Sequence, residues 1–203
     1  MNNLRDMTKY NYIRNTLETL DIVLFSGEGI ISNGIKLATG NKWSHIGVVF
    51  NIREVDMVCL LESTTLSSVE DVITGKGFSG VQIVPLSQRV LTYQGDISIR
   101  QLSGFTKLLY HKEVLNKFRR NYHGVPYEQN KIELVKSAYD GPWGDNVEDL
   151  SSLFCSEVVA ELYQKMDLLP EGVPSNEYTP ANFAKGMDLK LLKNTFLGEE
   201  IPI

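Results

Sequence analysis

The chain has 203 residues and a mass of 22.9 kDa, with 42% hydrophobic and 22% charged residues; this composition excludes a fibrous repeat or long disorder and suffices for one domain, residues 1–203, with a true core. A net charge of −5 and a pI near 5.3 leave no positive field to gather phosphate backbones, so nucleic acid is not an expected partner. No run approaches the ~20 apolar residues of a membrane span, and the opening MNNLRDMTKYNYIRN lacks the apolar core of a secretory leader, which reads as a cytoplasmic protein with no integral membrane segment.

Residues 1–19 are polar and read as a short helix or an extended arm. Asp21–Phe25 is a short apolar run closed by Ser26-Gly27, a first strand. Ile30, Ile31, Ile35 and Leu37 then follow at roughly helical spacing up to Gly40. SHIGVVFN and DMVCLLE are β-rich and are expected to pair as an antiparallel hairpin; a polar surface loop over 63–80 follows, and VQIVPL and DISIRQL then give two further strands. Leu108, Leu109, Val114, Leu115 and Phe118 predict an amphipathic helix within 106–122, on which Lys117, Arg119 and Arg120 read as a solvated face. ELVKSAY continues helical, Gly141–Gly144 forms a turn, and Ser152 is placed to cap a helix over 153–166 ended by Pro170 and Pro174. After Thr179-Pro180 a short helix at ANFAK leads to LKLLKN, which has strand character. The expected fold class is α+β: a central antiparallel sheet packed against a helix that carries a cysteine near its start.

Two cysteines occur, Cys59 and Cys155, so there is no disulfide framework; no CxxC pair suggests zinc, and neither a metal nor a cofactor is expected. Cys155 falls in the first turn of the 153–166 helix, where free backbone N–H groups and the helix dipole favour a thiolate and where its own N–H can donate to an oxyanion. The plainer reading of any cysteine is a small buried hydrophobe, and Cys59, inside a strand, fits it. His45 opens its strand beside Trp43 and has the most constrained setting of the three histidines; taken alone it is better read as structural, while His111 and His123 read as solvated. Glu62 ends the neighbouring strand, from which its carboxylate can fix the tautomer of His45 while the other ring nitrogen faces the thiol. The order His, Glu, Cys also occurs in chymotrypsin-like viral cysteine proteases, but those set the cysteine in a Gly-flanked loop of an all-β barrel, whereas Phe154 and Ser156 flank Cys155 and a helix follows.

Four blocks, LDIVLFSG, TGNKWSHIGVVF, YHGVPYE and LFCSEVVAELYQKMDLLP with EYTPANFA, resemble the circularly permuted branch of the NlpC-type papain-like superfamily, the YiiX-like proteins and their poxvirus relatives. The resemblance implies Cys155 as nucleophile, His45 as base and Glu62 as the polar third residue. It implies Tyr127 near the oxyanion region and Thr179-Pro180 at the mouth of the site; Ser156 and Trp43 complete the expected oxyanion and substrate-binding set. The first strand of that family usually begins Gly-Asp, and Leu20-Asp21 stands here. The insert over 124–152, with Trp143, is a candidate lid.

The function these residues and the resemblance imply is a cysteine peptidase or amidase: thiolate attack on an amide or ester carbonyl and passage through a thioester, the substrate being a small-molecule, peptide or lipid amide or ester. The rivals are lipid acyl transfer, as in the related acyltransferase branch, and a catalytically idle structural protein, in a virus particle if the source is viral.

Overall fold

The structure is a computed structural model that describes residues 6–28, 30–106, 109–126 and 151–203. Tyr127, the ELVKSAY stretch, the Gly141–Gly144 turn and nearly all of the 124–152 insert lie outside the described residues.

Six strands form one antiparallel sheet: β1 (Ile22–Gly27), β2 (His45–Ile52), β3 (Met57–Thr64), β4 (Gly80–Pro85), β5 (Gly95–Arg100) and, after the two-residue β6 (Leu102–Ser103) and β7 (Phe196–Leu197) that pair separately, β8 (Ile201–Pro202). Their spatial order is β4-β3-β2-β1-β5-β8. The expected hairpin of β2 and β3 is present, with Gly47 opposite Glu62 and Val49 opposite Leu60.

Both faces of the sheet are covered, which is why strands such as IVLF and CLL are apolar without alternation. On one face Ile22, Leu24, Ile46, Val48 and Leu61 pack against α5 (Ser151–Lys165) through Cys155, Val159, Leu162 and Tyr163. On the other, Val23, Phe25, Val49 and Leu60 meet Tyr10 and Ile13 of α1 (Thr8–Ile13) and Leu86 and Val90 of α3 (Leu86–Thr92). The remaining helices are α2 (Ile30–Thr39) and α4 (Leu109–Tyr122). The class is therefore α+β.

Several expectations need correction. The helix bearing Cys155 extends to Ser151, so Ser152 is an interior residue and not the cap. LKLLKN is not a strand: Lys193 and Asn194 both adopt left-handed conformations (φ 57°) that turn the chain, and Leu189 and Leu191 before them pack on the core while Leu192 is exposed. Helix α3 was not anticipated, because LSQRVLT offers one turn's worth of apolar spacing, Leu86 and Val90, after Pro85. His111 is buried, and His123 is held by the buried carboxylate of Asp71 at 3.0 Å; neither is solvated.

Candidate active site

His45 is the first residue of β2, and Phe25 faces it across the strand pair, their ring centroids 5.3 Å apart. Glu62 sits on β3 opposite Gly47, two residues along from His45 and hence on the same face of the sheet. Since Gly47 presents no side chain there, the carboxylate extends past it, and Glu62 Oε2 lies 2.7 Å from His45 Nε2. A Cβ added at position 47 would stand 2.7 Å from Leu60 Cδ1 and 3.0 Å from the Leu61 carbonyl oxygen, so a larger residue there would have to displace the Leu60 side chain. The other oxygen of Glu62 accepts from Arg89 Nε at 2.8 Å and lies 2.6 Å from Arg89 Nη2, with Gln82 Nε2 more distant at 3.4 Å. Carboxylate and guanidinium are both fully buried.

The ring of His45 also hydrogen-bonds the Cys155 side chain. With Nε2 committed to Glu62, Nδ1 is the nitrogen left for sulfur. Burial acts most strongly on the ring and disfavours its charged form. The charge of Cys155 and the hydrogen bond to it, followed by the hydrogen bond and charge of Glu62, outweigh burial and raise the pKa of His45 to about 9. Burial pushes Glu62 the opposite way, towards its neutral acid, yet the Arg89 charge and the His45 hydrogen bond hold its pKa below the ordinary carboxylate value. At neutral pH the three groups form an ionised chain: guanidinium, carboxylate, imidazolium. Cys59 differs. Burial, assisted by the charge of Asp71, raises its thiol to about 11.

A cleft of about 350 Å³ opens beside His45. Ser44, Ser63, Thr64 and Tyr93 line it, with Arg89 beneath. The Tyr93 hydroxyl, raised to about 12 chiefly by burial, hydrogen-bonds Ser44, whose Oγ accepts from the Gly27 N–H at 3.2 Å.

The structure thus brings together Cys155, His45 and Glu62 and leaves Ser156, Thr179 and Trp43 outside the cleft. Cys155 is the fifth residue of α5, so its backbone N–H falls within the helical hydrogen-bond ladder and is not a free oxyanion donor. Its sulfur is fully buried and does not line the cleft. The Ser156 hydroxyl is buried and donates to the Tyr178 carbonyl oxygen. Thr179 begins the turn Pro180–Phe183, its hydroxyl 2.8 Å from Asn182 Oδ1. Trp43 is buried, with its indole N–H on Glu200 at 2.9 Å and the Lys42 ammonium over its ring. None of these three lines the cleft. Arg89, Tyr93 and Ser44 were the residues sequence reading missed. Arginine inside the apolar frame of Leu86, Val90 and Leu91 was the available signal for the first.

No known protein family matches the sequence, and no curated protein matches it. Among solved structures the chain is similar to the metalloprotein yiiX from Escherichia coli O157:H7, with 22% identity, 73% of this chain and 66% of that chain covered, and a TM-score of 0.48. The chain spans just under two thirds of that protein. Among the described residues, no group of three or more His, Cys, Asp and Glu is arranged to hold a metal ion, and no helix is long and apolar enough to cross a membrane.

Proposed function

We propose that the protein is a thiol hydrolase of the permuted papain-like type that cleaves an amide or ester through a thioester on Cys155. One observation carries the reading: a single imidazole contacts both a cysteine side chain and a buried carboxylate that is itself clamped by arginine. The sulfur attacks the carbonyl carbon. As the tetrahedral adduct collapses and the bond to the leaving nitrogen or oxygen breaks, His45 gives its proton to that atom; water, deprotonated by the now neutral ring, then attacks the thioester and frees the acid. Glu62 keeps the ring oriented and stabilises its charge, and Arg89 keeps Glu62 ionised.

Incubation of the full chain with p-nitrophenyl acetate tests this. Peptide mapping should find a hydroxylamine-sensitive acetyl group on Cys155 and none on Cys59, and both Cys155→Ser and His45→Ala should lose it while melting close to the parent. Acetylation indifferent to His45, or directed to Cys59, would sink the mechanism and favour an idle protein that keeps the fold.

A further inference from the structure

A second cleft, of about 450 Å³, lies at the far end of β2 and shares no lining residue with the one beside His45. Phe50 and Ile52 contribute to it, and His45 to Ile52 is seven strand steps, roughly 24 Å at about 3.4 Å per step. Its volume falls within the range of small-molecule sites. The floor is apolar: Phe50, Val72, Ile83 and Leu115 leave a face of the core incompletely covered, and Ile73 stands 49% exposed on the wall. The rim is basic, although the chain as a whole is acidic.

The cations come chiefly from α4. Lys112, Leu115, Asn116 and Arg119 follow one another at positions i, i+3, i+4 and i+7, so they form one stripe along the cleft, with the two charges about 10 Å apart along the axis. Neither Lys112 nor Arg119 pairs with a carboxylate among the described residues. Arg53, also on the rim, is neutralised by Glu18, and among the described residues Glu54 is the one acid lining the cleft. Two unneutralised cations and an amide at the edge of an apolar trough match a ligand with a charged end and an apolar body.

We propose that this cleft binds a single-chain amphiphile with an anionic headgroup, the tail lying on Phe50, Val72 and Leu115 and the head between Lys112 and Arg119. The site is independent of the chemistry proposed for Cys155.

Calorimetric titration of the full chain with monomeric decanoate tests it against two controls: decyltrimethylammonium, with the same tail and opposite charge, and acetate, with the head alone. Decanoate should bind saturably at one site and acetate should not bind. The cationic amphiphile should bind about tenfold more weakly or worse, two screened charges being enough for that difference. Both cations project from the helix surface, so Lys112→Gln with Arg119→Gln should fold normally and lose a comparable factor for decanoate, while Cys155→Ser should bind unchanged. Equal affinity for the two head charges, indifference to the double substitution, or loss of binding in Cys155→Ser would each overturn the proposal. So would sedimentation with anionic phospholipid vesicles in place of uptake of the monomer.

Discussion

Burial alone would make the His45 ring neutral; the sulfur on one nitrogen and the Glu62 carboxylate on the other reverse that, and the reversal sets a pH limit on turnover. Proton delivery to a leaving amine needs the imidazolium, so amide cleavage should hold through neutrality and fall as pH rises through about 9. A pH–rate profile checks this, and a descending limb near the ordinary histidine value of 6.5 would contradict the contacts assigned to the ring. A different kind of tension sits at Leu20, where the chain turns into β1 with φ 83°. Glycine adopts such an angle without strain. Leucine accepts strain of about 1 to 2 kcal/mol there, but its buried side chain contributes more, since truncating such a leucine costs about 2 to 5 kcal/mol. Leu20→Gly should therefore destabilise in spite of relieving the backbone. Leu20→Ala, which loses the side chain and keeps the strain, should be worse still. Denaturant unfolding orders the three, and an alanine variant more stable than the glycine one would refute the strain.

Helix α5 is held against the sheet by its apolar face and by the Tyr163 hydroxyl on the Leu20 carbonyl at 2.6 Å, just before β1, while the Ser156 hydroxyl on the Tyr178 carbonyl ties it to the segment that follows the helix. Ser156→Ala leaves a buried carbonyl without its donor, a loss of about 1 to 3 kcal/mol. Its melting temperature should drop with KM unchanged, whereas a substrate-binding serine would raise KM. The same element shows what the sequence could and could not disclose. Apolar runs announced the strands, because a sheet covered on both faces requires continuous Val, Ile and Leu; the register, which no local pattern records, then sets Gly47 opposite Glu62 and so His45 and Glu62 on one face. The start of α5 was less legible, since Ser152 looks like a cap and the structure places it inside the helix, after Ser151. Arg89 was illegible for a related reason. Its meaning depends on a carboxylate 27 positions earlier in the chain, which no local pattern records. Trp43 and Ser156 stand two and one residues from His45 and Cys155 in sequence, but their side chains turn to Glu200 and Tyr178, and Thr179 caps its own turn through Asn182.

Across the whole molecule, two buried carboxylates tie distant segments together and make acid stability a readout of the fold. Glu62 joins β3 to α3 through Arg89. Asp71 accepts the backbone N–H groups of Ile73 at 3.0 Å, Thr74 at 2.8 Å and Ile83 at 2.7 Å, and its Oδ2 meets His123 beyond α4. In both, burial favours the neutral acid. The Arg89 charge prevails for Glu62, and the hydrogen bonds led by the Ile83 N–H prevail for Asp71, so each titrates below its unfolded value of 4.5 or 3.8. A carboxylate depressed in the native state binds fewer protons than in the unfolded chain; its stabilisation is whole above the unfolded pKa and is lost as pH falls through the native one. Melting temperature should accordingly be insensitive to these two groups above about pH 5 and fall steeply from about pH 4 downward. Asp71→Asn should melt lower at neutrality, because its NH2 group meets donors instead of partners, and should lose part of the acid dependence. Glu62→Gln should do the same and also slow turnover, since His45 loses the charge that holds its proton. An acid limb identical in all three proteins would show that neither carboxylate titrates below its unfolded value in the folded chain, and the stabilising contacts assigned to Glu62 and Asp71 would fail with it.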